Sequence, residues 1–312
     1  MPNLHPQIQA ALEAMAKLDL KPIEAMTPAE ARVQMEAMAA SRKAVPLPVA
    51  RVDNRTIPGP AGAIPVRIYT PPGGGVRPAI VYYHGGGHVI GSLDSHDLVA
   101  RNLCGGAEAV VVSVDYRMGP EHRFPAAVDD SFFALDWVHA NADSIGADRT
   151  RLGVHGDSAG ANLAAVVALM ARDQGAPALR LQSLVYPVAD FRMGTDSYTK
   201  YATGCGVLTA EAMRWFRSHY LNRMDEALDW HASPVLAPDF TGVAPAIIIA
   251  AECDVLHDEG VDLAEKLKAA GVPVEYHRYA GMIHAFFGMM PAIDDAMNAQ
   301  RTVWAAFKRA FA

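Results

Sequence analysis

Apolar and polar positions along the chain fall into two alternating rhythms. Seven short β-rich apolar runs read as strands: VRIYT (66–70), AIVYYH (79–84), AVVVSVDY (109–116), RLGVHG (151–156), SLVYPV (183–188), AIIIAAE (246–252) and VEYHRY (274–279). Helical spacing of apolar residues separates them at 127–142, 159–172 and 260–270, the last stopped by Gly271, and an amphipathic helix is expected over 294–311. Strands that are apolar almost throughout, alternating with helices, are the sequence form of a mostly parallel central sheet covered on both faces, which places the fold in the α/β class.

Two stretches depart from that rhythm. Before Pro46 lie two helix-like segments, 7–18 and 27–44, the second opened by Thr27-Pro28-Ala29-Glu30, with an N-cap threonine, a first-turn proline and a capping-box glutamate. After the strand ending near Val188 comes a block rich in aromatic residues and methionine, with Met213, Trp215, Phe216, Tyr220 and Trp230. The two blocks are expected to meet as a helical cap over the sheet's carboxyl edge, where open α/β folds bind ligands. The chain then divides into an N-terminal cap segment (1–50), a first core part (51–190), a cap insertion (191–238) and a second core part (239–312).

Composition narrows the classes. With 312 residues and 51% hydrophobic content the chain can bury a large core, and its formal net charge of −7 with no basic stripe argues against a nucleic-acid partner. No apolar run approaches membrane-spanning length and no secretory leader is evident, so a soluble cytoplasmic protein is the expectation. Cys104, Cys205 and Cys253 are too few and wrongly spaced for a disulfide framework and read as buried free thiols. The histidines, among them His84, His88 and His219, lack ligand spacing, so no metal is expected.

The chemistry gathers around Gly156-Asp157-Ser158-Ala159-Gly160, a G-x-S-x-G pattern between a strand and a small-residue helix. A serine on such a turn has its hydroxyl lifted above the sheet edge and its neighbouring N–H groups aimed at developing negative charge. Acyl transfer by Ser158 needs a base and an acid that orients it. His284 follows the last strand and is the candidate base; His277 lies inside that strand and reads as structural or exposed. Asp254 follows the apolar strand 246–252 and is the candidate acid, with Glu252 as the nearer rival; Asp258 and Glu259 fall where first-turn helix electrostatics account for them. Gly85-Gly86-Gly87, directly after a strand, would let backbone N–H groups approach an oxyanion together with that of Ala159. Gly73-Gly74-Gly75 is expected to be only a flexible loop.

HGGG (84–87), VDYRMGPEHRFPAAVDD (114–130), GDSAGAN (156–162), DVLHDEG (254–260) and HAF (284–286), in this order, resemble the hormone-sensitive lipase family of esterases, the bacterial type called family IV. The resemblance covers the chain from about residue 54 onward. It implies an α/β-hydrolase fold with a helical cap and a carboxylesterase acting on small-molecule esters of short to medium acyl chain, without cofactor. It also implies Ser158, His284 and Asp254 as catalytic residues and Gly85, Gly86, Gly87 and Ala159 around the oxyanion, with His84 shaping the loop. Relatives of this kind often dimerise through the edge strand near the C-terminus, here 274–279, so a homodimer is one expected partner state. The sequence departs from the family at Val255, where proline is common, and at His88, often aromatic, which is expected at the pocket mouth. Leu208, Met213 and Phe216 are expected to face the acyl pocket. Amidase or lactonase chemistry would use the same groups, and a receptor that has lost catalysis, as in the plant gibberellin receptors, would lack the histidine present here as His284.

Overall fold

The computed structural model describes residues 3–18, 20–203 and 205–312. In chain order the helices are α1 (Pro6–Met15), α2 (Pro28–Ala40), α3 (Asp97–Ala107), α4 (Ala126–Ala140), α5 (Ala159–Gln174), α6 (Asp196–Lys200), α7 (Ala210–Tyr220), α8 (His257–Ala269) and α9 (Asp294–Phe311). The strands are β1 (Arg51–Gly59), β2 (Gly62–Thr70), β3 (Arg77–Tyr83), β4 (Val110–Val114), β5 (Ala147–Asp157), β6 (Leu179–Val185), β7 (Ala246–Cys253) and β8 (Val274–Ile283). They form one sheet in the order β1-β2-β4-β3-β5-β6-β7-β8, antiparallel at the β1-β2 and β2-β4 pairs and parallel from β4 to β8. Helices α3 and α9 pack together against the sheet, as do α4 and α5. Strands covered this way lose their alternation: β4 is buried along its whole length, and so are Ile247, Ile248 and Ile249 of β7. Each such valine or isoleucine side chain contributes roughly 1.5–3 kcal/mol of hydrophobic stabilisation.

All seven expected strands are present, but β1 and the first half of β2 have no counterpart in the apolar pattern. The sequence RVDNRTIPG of β1 buries only Ile57, because this edge strand is held by its backbone register with β2 and leaves most of one face to solvent. Helix α3 was also hidden. Its last turn carries Gly105 and Gly106, which read as helix breakers, yet a Cβ at Gly105 would press on Leu47 and one at Gly106 would strike the Trp304 ring of α9. Close packing of α3 on the segment before β1 and on α9 explains those glycines.

Parallel pairing sets up the site. Cys253 of β7 lies opposite Ile283 of β8, so the next residues of the two strands, Asp254 and His284, emerge side by side at the carboxyl edge. Tyr83 of β3 pairs with Gly156 of β5, which brings the glycine loop alongside the turn of Ser158. Above this edge the N-terminal segment and the 191–238 block meet: the Trp215 indole N–H donates to the carbonyl of Met26 (3.1 Å), and the capping box of α2 forms as expected, Glu30 accepting from the Thr27 N–H at 2.8 Å.

Candidate active site

Only Ser158 separates β5 from α5, and its backbone is left-handed, with φ 56° and ψ −119°. A non-glycine residue there is strained and persists only where its surroundings hold it. The Ser158 N–H donates to Val185 O (2.8 Å), and its carbonyl accepts from Asn162 (3.1 Å) and Val188 (3.3 Å). The flanking glycines answer to contact: a Cβ on Gly156 would collide with the Gly160 carbonyl, and one on Gly160 with the carbonyl of Tyr83. Asn162, wholly buried, ties the first turn of α5 to the segment after β6 through Val188 O (2.9 Å) and Ala232 O (2.7 Å).

The three expected reacting side chains are joined. His284 Nε2 lies 2.9 Å from Ser158 Oγ, and its Nδ1 lies 2.7 Å from Asp254 Oδ2. All three residues are buried. The second Asp254 oxygen accepts the Leu256 N–H at 3.0 Å, which fixes the carboxylate plane. The rivals are occupied elsewhere: Glu252 accepts from Arg278 (3.1 Å) and from the Gly281 N–H (2.8 Å), and His277 sits half-exposed beside Glu275.

In the glycine loop, Gly86 (φ 119°) and Gly87 (φ 61°) line a cavity of about 520 Å³ shared with Ser158 and His284. Neither donates its N–H to another described residue, and the Ala159 N–H, at the open first turn of α5, is likewise free for a ligand. Gly85 does not line the cavity; it lies against the Asp157 carboxylate. His84 Nδ1–H donates to Gly85 O (2.8 Å), and Tyr116 Oη–H donates to His84 O (2.7 Å), bracing the loop from below.

Leu208, Met213 and Phe216 lie on the cavity wall, with Met26, Met35 and Met38 from the N-terminal segment. His88 does not stand at the mouth. Its left-handed backbone (φ 61°) turns the ring into the interior, fully buried and stacked on Tyr220 at 3.9 Å beside Phe191. Cys205 is another correction, being partly exposed, whereas Cys104 and Cys253 are buried.

Sequence reasoning gave too little to several neighbours. Asp157 lines the cavity, accepts the Tyr82 hydroxyl at 2.8 Å and lies 3.8 Å from His96 Nε2. Glu259 is no surface helix charge: it is fully buried, accepts the Ala189 N–H at 2.8 Å, and burial pushes its carboxyl well above the usual range. Asp258 accepts the Ser197 N–H (2.7 Å) and Ser197 Oγ–H donates to Val255 O (2.6 Å), fastening α6 to the Asp254 loop. The Tyr186 ring stands 4.5 Å from that of His284. The signal available for four of these was position: Asp157 ends β5, Tyr186 follows β6, and Asp258 and Glu259 open the helix after β7.

Residues 80–288 match the alpha/beta hydrolase fold family. The carboxylesterase NlhH of Mycobacterium tuberculosis is 43% identical over 236 residues, covering 75% of this chain and 74% of that protein. The ethyl acetate hydrolase of Pseudomonas putida is 41% identical, covering 70% and 69%. This chain belongs to the alpha/beta hydrolase family, in its hormone-sensitive-lipase-like branch of carboxylic ester hydrolases. Among solved structures, the hyperthermophilic esterase of the archaeon Pyrobaculum calidifontis superposes on this hydrolase with a TM-score of 0.92 at 41% identity, over 99% of each chain. No described helix of the hydrolase is long and apolar enough to cross a membrane.

Burial also fixes the protonation of four histidines near the site. It lowers His84, His88 and His96 to about 3 and His155 to about 4, so all are neutral at neutral pH. Unfolding releases them to values near 6.5, so the unfolded chain binds more protons between about pH 6.5 and 4, and stability falls as pH drops through that window. Each histidine contributes up to about 1.4 kcal/mol per pH unit there. Urea denaturation at pH 7 and pH 5 is expected to give a clearly lower midpoint at pH 5; equal midpoints would contradict neutral burial of these rings.

Proposed function

We propose that this hydrolase is a serine carboxylesterase acting on short- to medium-chain acyl esters of small alcohols through an acyl-enzyme. The observation that carries the reading is the continuous hydrogen-bonded line from Ser158 through His284 to Asp254 beneath a cavity flanked by Gly86 and Gly87. In this mechanism His284 Nε2 takes the proton of Ser158 as Oγ attacks the ester carbonyl. The tetrahedral oxyanion is received by the N–H groups of Gly86, Gly87 and Ala159. Asp254 holds the imidazole in the tautomer that presents Nε2 to the serine and stabilises the imidazolium. Collapse passes the proton from His284 to the leaving alcohol, and a water activated by the same base releases the acid.

The substrate assignment rests on the cavity. Its walls are mostly methionine and aliphatic or aromatic side chains, and about 520 Å³ lies within the range of small-molecule sites. The activity named for the Pseudomonas putida relative, on ethyl acetate, supports the short-chain end of this range. Residues 1–50 and 191–238 act as one cap in this reading, and the parts 51–190 and 239–312 form the catalytic core.

Ser158→Ala is expected to lower p-nitrophenyl butyrate hydrolysis by about 10⁴-fold or more while leaving a cooperative thermal transition. Turnover within tenfold of the parent would remove Ser158 from the mechanism. Phe216 borders Gly87, so that a Cβ there would meet its ring. In an acyl series from acetate to dodecanoate, Phe216→Ala is expected to move the optimum kcat/KM to longer chains, with roughly a tenfold change in the long-to-short ratio. An unshifted profile would leave Phe216 as cap packing alone.

A further inference from the structure

Among the described residues, Arg32 is the side chain of α2 whose hydrogen bonds reach both the loop after β3 and the loop after β4. Its Nε donates to Val89 O (2.8 Å), its Nη2 to Gly119 O (2.8 Å), and its two terminal nitrogens form a fork on the Glu121 carboxylate at 2.9 and 2.7 Å. Val89 and Gly119 are both buried residues. The two loops are also bonded to each other, through the Gly119 N–H on His88 O at 2.8 Å.

The Val89 carbonyl belongs to the turn that sets the glycine loop. The N–H groups of Val89 (3.0 Å) and Ile90 (2.9 Å) both donate to Gly86 O, so the Gly86-Gly87 peptide and the Arg32 acceptor are parts of one small hydrogen-bonded unit. Helix α2 meanwhile lines the cavity with Ala31, Met35 and Met38. One guanidinium thus spans the wall that touches substrate and the turn that carries the oxyanion donors.

We infer that Arg32 is a positioning residue that couples the docking of α2 to the geometry of the Gly86-Gly87 oxyanion donors, a role that rests on the oxyanion assignment above. The exposed half of the fork, toward Glu121, is the weaker part, because a solvated ion pair contributes little. The stronger part is the pair of buried carbonyls, which lose their donor if Arg32 is removed. A lysine keeps the charge but has no planar fork able to satisfy three separated acceptors. Release of α2 would then loosen the donors as well as open the cavity, so the site would be fully competent only with the cap seated.

The test compares the parent, Arg32→Lys and Glu121→Gln, using p-nitrophenyl acetate, thermal melting and the rate of covalent inactivation by a p-nitrophenyl alkylphosphonate. Displacing oxyanion donors acts on the transition state. Arg32→Lys is therefore expected to lower kcat by about tenfold or more with KM within about twofold, and to slow inactivation by a similar factor. Glu121→Gln, which keeps both carbonyl bonds, is expected to stay within about threefold of the parent on both readouts. A rise in KM with unchanged kcat, or a lower melting temperature with unchanged kcat and inactivation, would reduce Arg32 to a cap anchor and overturn the proposal. An equal kcat loss in Glu121→Gln would overturn it too, by placing the effect in the ion pair. If Arg32→Lys does not fold, Arg32→Gln, still able to donate to one carbonyl, takes its place with the same criteria. A parent enzyme that the phosphonate does not label at Ser158 would defeat the underlying reading; normal labelling with an unaffected Arg32 variant would defeat this inference alone.

Discussion

The turn at Ser158 constrains more of this molecule than any other local feature. A strand and a helix joined by one residue with φ 56° bring β5, α5 and the end of β3 so close that no side chain fits at positions 156 and 160. The strain is held by bonds to Val185, Val188 and Asn162, and hence by the strand next to β5 and the segment leaving it. The same closeness sets the start of α5 against Tyr83 and His84, where β3 passes into the glycine loop. Parallel pairing does the rest, because Asp254 and His284 follow directly on residues paired across β7 and β8.

Around that turn the polar groups are arranged so that few carry charge. Four buried histidines are held neutral by desolvation, and Tyr82 keeps its proton well above its usual value, through burial first and the Asp157 carboxylate second. Stacking of His84 between Tyr116 and His96 makes these rings packing material for the loop as well as hydrogen-bonding groups. In the proposed mechanism such a site would meet developing negative charge with backbone dipoles already in place, the arrangement that needs least reorganisation during reaction.

Much of this was legible in the chain, for physical reasons that also mark where reading stopped. Strands buried on both faces leave continuous apolar runs, so β3 to β7 were visible, and edge strand β8 showed as the alternating stretch 274–279. Edge strand β1 buries one residue and left no run to see. Ser158, Asp254 and His284 each stand immediately after a strand, and strand ends can be read from periodicity. Helix α3 was masked because its glycines serve contact with Leu47 and Trp304, a fact of tertiary packing that no local pattern carries. His88 was misplaced for a similar reason: the sequence shows a polar ring after three glycines, and only the left-handed backbone reveals that it turns inward onto Tyr220. The partners of Glu259 and Arg32 were likewise unreadable, since the groups they satisfy, Ala189, Val89 and Gly119, are distant in sequence, although the position of Glu259 after β7 was not.

The central claim is that Ser158 attacks while Gly86, Gly87 and Ala159 receive the oxyanion. A crystal structure of the enzyme inactivated by a p-nitrophenyl alkylphosphonate addresses all of it at once. The account predicts phosphorus bonded to Ser158 Oγ and one phosphoryl oxygen about 2.7–3.1 Å from the backbone nitrogens of those three residues. Phosphorus on another side chain, or a phosphoryl oxygen turned away from the glycine loop, would contradict it.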